Sequence, residues 1–197
     1  MVNADEGEPG TFKDRLCLTR DPHLLIEGCI CTGYALGVRT AYIYVRGEML
    51  PQIRRLNQAL KEAYDAGLLG ENIQGSGYSL DIYVHRGAGA YICGEETGLI
   101  NSLEGYKGQP RLKPPFPAIS GAFASPTVVN NVETIMAVPM ILKHGPKWYR
   151  QWGNDKSPGS KLFTISGDVG RPGVYEVPLA MPFAEFFDLA GGLQGDL

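Results

Sequence analysis

The sequence is poor in cysteine, with only Cys17, Cys29, Cys31 and Cys93 in 197 residues. That is too few for a secreted disulfide scaffold, and none stands in the close CxxC spacing of zinc or iron–sulfur sites. Cys17, Cys29 and Cys31 read as buried free thiols. Histidine is scarcer still: His23, His85 and His144 are scattered among structural signals. They support neither a metal centre nor a Ser–His–Asp or Cys–His arrangement, and read as structural or solvated. No apolar run approaches the roughly 20 residues needed to span a bilayer. The opening MVNADEGEPG lacks the basic and apolar regions of a signal peptide. An excess of basic charge is missing as well: the net charge of -3 gives nucleic acid no surface to bind. A cytosolic or membrane-peripheral protein is the expectation.

Glycine and proline, by contrast, are plentiful, with 26 and 14 residues. A content of 44% hydrophobic and 20% charged residues suits a globular chain with one well-buried core and a smaller unit. The first fifteen residues, MVNADEGEPGTFKDR, carry six charges and read as a loop. Asp21-Pro22 marks a helix start, with Asp as cap and Pro in the first turn. The helix that follows, His23 to Gly37, reads as mostly buried. Ala41 to Val45 (AYIYV) and Leu80 to Val84 (LDIYV) are β-branched and aromatic runs, hence strands. Between them Pro51 opens a helix through about Ala66, with Ile53, Leu56, Leu60 and Tyr64 at helical spacing and Gly67 as terminator. Strand, helix, strand of this length is a βαβ unit and implies a parallel sheet.

Residues 106–127 are Pro- and Gly-rich and read as a long loop. Asn130 to His144 resumes helix, with Asn130 or Asn131 as cap, Glu133 in the first turn and Pro139 as a kink or stop. The segment 154–160 (NDKSPGS) reads as a linker. Beyond it, strands at Lys161–Ser166 and Val174–Val177 and a helix at Pro182–Leu189 form a second unit. Two strands and one helix rarely bury a core alone, so the end at residues 195–197 reads as a truncation.

Four segments carry chemistry. Gly87, Gly89 and Gly94 surround a strand-to-helix junction, either a tight connection or a place where bare amides hold phosphate. The spacing is not the dinucleotide fingerprint, whose third glycine position is Ile92 here. Glu95 and Glu96 either complement the dipole of the next helix or accept hydrogen bonds from sugar hydroxyls or a carboxamide. Asn3, Asp5, Glu6 and Glu8 form an acidic loop shaped by Pro9-Gly10, solvated or ligand-binding. In RLKPPFPA, an exposed Pro-rich loop, Phe116 is suited to stacking on a flat base and Lys113 to meeting a phosphate.

Together these segments resemble the flavoprotein subunit of respiratory complex I, the NADH dehydrogenase subunit that carries FMN. The resemblance rests on NADEGEPGTFKDR at 3–15, DPHLLIEG at 21–28, GAGAYICGEET at 87–97, SLEG at 102–105, RLKPPFPA at 111–118 and VVNNVET at 128–134. KLFTISGDVGRPGVYEVP at 161–178 is similar to the β-grasp domain that follows in that family. The implied fold is α/β: a Rossmann-like parallel-sheet FMN-binding domain at 1–153, its N-terminal part missing, then a partial β-grasp (SLBB-like) domain at 161–197.

By position, the resemblance puts Asn3, Asp5 and Glu6 along the flavin and Glu8 on the nicotinamide side. It puts Gly87, Gly89, Tyr91, Gly94 and Glu95 in the flavin loop, with Glu96 reaching toward NADH. Lys113 and Phe116 match outer contacts of the dinucleotide, Phe116 on adenine. Asn130, Asn131 and Thr134 match the helix start that holds the FMN phosphate. The implied reaction is hydride transfer from NADH to FMN, then electron release to iron–sulfur clusters toward quinone. No protein acid, base or metal ligand is required, because the flavin does the chemistry.

The implied partners are a thioredoxin-like iron–sulfur subunit and a larger iron–sulfur subunit, with the membrane reached only through the complex. The implied location is cytoplasmic at the inner membrane, or the mitochondrial matrix side. Three features depart from the family pattern. The glycine-rich segment before NADEGEP is absent, as is the later domain whose cysteines hold a four-iron cluster. Gly98 replaces a small side chain, at a cost of up to about 1 kcal/mol of helix propensity. The alternatives are the equivalent subunit of an NAD-reducing hydrogenase or NAD-dependent formate dehydrogenase, or a fragment that cannot hold FMN.

Overall fold

In the computed structural model, residues 1–195 are described, and positions 196–197 of the expected second domain lie outside them. The chain forms two compact units, Met1–Gly7 with Asp14–Pro139, and Glu8–Lys13 with the residues from Met140 onward.

The first unit is built on four parallel strands: β1 (Val2–Ala4), β2 (Thr40–Val45), β3 (Asp81–Arg86) and β4 (Asn130–Asn131). Their order in the sheet is β3-β2-β1-β4. Helices α1 (Lys13–Arg20), α2 (Pro22–Leu36), α3 (Leu50–Asp65), α4 (Glu96–Leu103) and α5 (Val132–His144) connect or follow them. The parallel sheet and the βαβ unit match the sequence reading.

The opening segment does not. Val2–Ala4 is a strand rather than loop, paired on one side with Ile43–Val45 and on the other with Asn130–Asn131. Val2 and Ala4 are buried and alternate with Asn3, a period-2 pattern too short to show against the charged residues around it. Pairing on both sides outweighs local composition here. Helix α1 also begins inside the segment read as loop.

Alternation divides the sheet into two faces. Val2, Ala4, Ile43, Val45 and Ile82 enter the main core with Leu25, Ile26 and Cys29 of α2, Leu56 and Leu60 of α3, and Ile135 of α5. Each fully buried Leu or Ile contributes about 1.5–3 kcal/mol, and Leu56→Ala would cost about 2–5 kcal/mol. The other face carries Asn3, Tyr44 and His85 side by side in register. There Tyr44, Cys93 and Leu99 form a second, smaller cluster.

Helix α2 starts as its sequence predicts: Asp21 accepts the amide of Leu24 at 3.0 Å, and Pro22 opens the helix. Its last turn departs from the buried reading, because Tyr34 and Leu36 are exposed. Gly28 lets α2 approach α5, since a Cβ there would stand 2.2 Å from the carbonyl oxygen of Ile135. Asn130 and Asn131, read as the start of a helix, are strand residues. Asn131 nevertheless caps α5, its side-chain oxygen accepting the amide of Glu133 at 3.1 Å. Pro139 lies inside α5, which runs on to His144.

In the second unit, α6 (Pro146–Arg150) precedes an antiparallel pair, β5 (Ser160–Ile165) and β6 (Gly173–Pro178), and α7 (Phe183–Leu189). Asn154 accepts the amides of Lys156 and Ser157, each at 2.9 Å, so the stretch read as a linker is a closed turn. Ile165, Val169, Val177, Phe186 and Ala190 are buried together, a small core.

Candidate functional site

The strand order β3-β2-β1-β4 locates the site. From β1 the chain builds the sheet outward on one side through β2 and β3, then returns to place β4 on the other side of β1. In open parallel sheets, ligands bind in the crevice outside the carboxyl ends of the strands at such a reversal. Because all four strands are parallel, their carboxyl ends share one edge. That edge receives Asp5–Gly7 after β1, Arg46 and Gly47 after β2, Gly87–Gly94 after β3 and the start of α5 after β4.

Two asparagines tie this edge together. Asn131 donates its amide to the carbonyl of Asn3 (3.1 Å) and to the carboxylate of Asp14 (2.7 Å), bridging β4 to β1 at the reversal. Asn3 donates to the carbonyl of Gly94 at 2.8 Å, anchoring the 3-10 turn Tyr91–Gly94 to β1. Its side-chain oxygen accepts the amide of Asp5 at 3.0 Å. Asn130 lies in β4, and Thr134 is exposed in the first turn of α5. Glu6 is buried, with its two oxygens on the amides of Asp14 (2.9 Å) and Arg15 (3.2 Å), so it caps α1. Glu8 belongs to the second unit, exposed in a turn closed by its carbonyl and the amide of Thr11 at 3.2 Å.

The glycine segment is shaped by contact. A Cβ at Gly87 would stand 2.8 Å from the Tyr44 ring, and Gly89 has φ +90°. At Gly94 a Cβ would meet only the carbonyl of Asp5 within 4 Å, at 3.4 Å, so the bare backbone borders open space. Tyr91 is two-thirds exposed (66%) beside it. Glu95 accepts the amides of Thr97 and Gly98, both at 2.8 Å, and so caps α4. Gly98, which reads as a weak point in the sequence, admits a close approach: a Cβ would lie 2.8 Å from the carbonyl oxygen of Ile92. Glu96 is bonded to the Lys113 ammonium, and Glu95 lies 3.8 Å from it. Lys113, expected to meet phosphate, is thus paired with two acids. Phe116 is exposed, its ring available for stacking.

Sequence reasoning missed Arg46, Thr97, Glu104 and Arg111. Arg46 donates to the carbonyl of Glu6 at 2.8 Å and pairs with Glu48 at 3.3 Å. A cation directly after a strand, in VRGE, was the available signal. Thr97, Glu104 and Arg111 act through hydrogen bonds between residues far apart in sequence.

The local electrostatics follow from burial. Desolvation pushes the Asp5 carboxyl from 3.8 up to about 6, with Arg46 pulling it down and Glu48 pushing it up. Burial likewise pushes the Tyr44 phenol up to about 12, although its 2.8 Å hydrogen bond with Ser102 acts the other way. Burial works against ionising Glu95, but hydrogen bonds from Thr97 and Gly98 together with nearby Lys113 hold its carboxyl below the usual range.

The arrangement suits a flat, phosphorylated, hydroxyl-rich ligand. A helix start at the strand reversal favours phosphate, Asp5 offers an acceptor to hydroxyl or N–H groups, and the exposed ring of Tyr91 offers an apolar face. Among the described residues, no group of three or more His, Cys, Asp or Glu side chains is placed to hold a metal ion, and no helix is long and apolar enough to cross a membrane.

Residues 1–140 match the model of the Nuo51 FMN-binding domain, and residues 162–196 that of the SLBB domain. An NADH-quinone oxidoreductase subunit of Rhizobium meliloti (strain 1021) is 56% identical over 190 residues, which are 96% of this chain and 45% of that protein. The mitochondrial NADH dehydrogenase [ubiquinone] flavoprotein 1 of Dictyostelium discoideum is 54% identical over 196 residues, 99% of this chain and 41% of that protein. The chain therefore spans about half the length of the curated relatives it matches, or somewhat less. A solved NAD+-reducing NiFe hydrogenase in the H2-reduced state superposes with a TM-score of 0.90 at 43% identity, over 98% of this chain and 32% of that one.

Proposed function

Since the chain belongs to the Nuo51 FMN-binding domain family, we propose that it is the flavin-holding core of an NADH dehydrogenase that oxidises NADH and passes electrons toward quinone. The observation that carries this reading is the strand reversal, with Asn3, Gly94 and Asn131 hydrogen-bonded around the carboxyl edge of the sheet.

FMN, when bound, supplies a two-electron hydride acceptor that can release electrons one at a time. The residues do the rest. The start of α5, with Asn130 and Thr134, holds the phosphate end, where helix amides favour an anion. Asn131, its side-chain donors spent on Asn3 and Asp14, holds that helix start in place. Asn3, Asp5 and the turn Gly87–Gly94 with Tyr91 hold the ring. Glu6 and Glu95 serve one step removed: by capping α1 and α4 they stiffen the two segments that line the ring. Glu96, Lys113 and Phe116 meet the dinucleotide, Phe116 by stacking on adenine. Lys113 leaves its acids as it takes a phosphate.

The identity of 54–56% to NADH-quinone and NADH-ubiquinone enzymes, against 43% to the hydrogenase, supports the quinone-linked reading over the hydrogenase one. On this reading the partners are a thioredoxin-like iron–sulfur subunit and a larger iron–sulfur subunit, peripheral to the membrane. Titration of the chain with FMN and with riboflavin, followed by flavin fluorescence, tests the phosphate assignment. FMN should bind the more tightly; equal affinity would remove the phosphate from the start of α5.

A further inference from the structure

A hydrogen-bonded relay runs from the cap of α4 into the Pro-rich loop. Thr97, 2% exposed, donates its hydroxyl to Glu95 at 2.6 Å and accepts the amide of Arg111 at 2.8 Å. The Arg111 guanidinium then fans out in three directions. It donates to the side-chain oxygen of Asn101 (2.8 Å), to the carbonyl of Gly121 (3.2 Å) and to the carboxylate of Glu104. The second oxygen of Glu104 accepts the amide of Phe123 at 2.6 Å.

One side chain thus fastens both ends of the loop to α4. Arg111 stands two residues before Lys113 and five before Phe116, and its bond to Gly121 holds the returning limb. That limb is strained, because Phe123 and Ala124 have φ of +52° and +57°, values that non-glycine residues seldom adopt. Such a backbone persists only when its surroundings over-determine it. Here the amide bond to Glu104 and the carbonyl bond to Arg111 do so. The Glu104 side chain is only 10% exposed, so removing its cation would leave a nearly buried charge without compensation.

We propose that Arg111 is a positioning residue for the dinucleotide: its fork, neutralised by Glu104, fixes Lys113 and Phe116 where the adenine half of NADH is received. The inference rests on the reading of this loop as the outer dinucleotide contact. Lysine cannot replace the arginine, since a single ammonium does not span three separate acceptors as a planar fork does. The adenine half is the part affected, because Lys113 and Phe116 lie on the stretch between the two anchored points, Arg111 and Gly121, whereas the flavin edge is held by Asn3 and Asn131.

The test is Arg111→Lys, with Glu104→Gln as a second variant, in the complete FMN-loaded subunit. NADH, reduced nicotinamide mononucleotide and ADP-ribose serve as probes. The KM for NADH and the dissociation constant for ADP-ribose, measured by calorimetry, should both rise about tenfold, since small misplacements of binding groups carry such factors. FMN content, kcat at saturating NADH and the KM for the mononucleotide should stay at wild-type values. Hydrogen exchange across 112–124 should quicken. An unchanged ADP-ribose affinity in both variants, or an equal loss for the mononucleotide, would overturn the proposal. If the lysine variant fails to fold, Glu104→Gln decides on the same criteria. A wild-type subunit that binds FMN but neither NADH nor ADP-ribose would instead overturn the dinucleotide reading beneath it.

Discussion

A Cβ at Gly47 would stand 2.1 Å from the carbonyl oxygen of Gly87, so the segments leaving β2 and β3 touch backbone to backbone at the edge that forms the site. Arg86 reinforces the contact by donating to the carbonyl of Gly47 at 3.0 Å. Gly47→Ala should therefore push the glycine segment off β2. Overpacking of this kind costs about 1–3 kcal/mol, enough to lower Tm by several degrees. A fall in both Tm and FMN retention is the expected result. An alanine variant with wild-type values of both would show that the contact is not needed.

Asp5 makes stability depend on pH. Its carboxyl titrates near 6 in the fold against an ordinary 3.8, chiefly because it is buried. Between these values the folded chain keeps a proton that the unfolded chain has released, so stability falls as pH rises through the window. Asp5→Asn should remove that part of the slope. Urea midpoints of both proteins at pH 4.5 and pH 7.5 check it, and parallel pH profiles would contradict it.

Glu95 should behave in the opposite sense. Hydrogen bonds from Thr97 and Gly98 hold its carboxyl below the ordinary 4.5 even though burial opposes ionisation. Its stabilisation is therefore present above 4.5 and is lost as pH falls through the lower folded value. Glu95→Ala should lose about 1 kcal/mol as a helix cap at neutral pH. That deficit should shrink in acid, and thermal unfolding over a pH series would show whether it does.

How far the sequence could be read follows from the range of the interactions involved. The βαβ unit was legible because AYIYV, the Pro51 helix and LDIYV each state their pattern within a few residues. Asp21-Pro22 was legible as a helix start because a cap acts over three positions. Strand β1 was not, since three residues flanked by charges become a strand only through pairing with β2 and β4. For the same reason Asn130 and Asn131 read as helix. Candidate site residues could be proposed from the sequence where a residue type suits a ligand, as with Phe116 or Asn3. What the sequence could not show is that Glu6 and Glu95 turn inward to cap helices, or that Arg111 joins Asn101, Glu104 and Gly121.

Phe116 should matter through its ring alone, because it is exposed and its loss leaves no cavity. Stacking of a base on an aromatic side chain contributes about 1–3 kcal/mol. Phe116→Ala should thus raise the KM for NADH by about tenfold or more with Tm unchanged. A tyrosine at the same position should restore it. Failure of tyrosine to do so, with the alanine effect intact, would speak against stacking.

The most direct measurement is the visible absorption spectrum of the FMN-loaded protein before and after NADH is added without oxygen. If this chain holds the flavin that NADH reduces, the flavin bands bleach on addition of NADH and return when an electron acceptor is supplied. Bound flavin whose spectrum NADH leaves untouched would contradict that assignment.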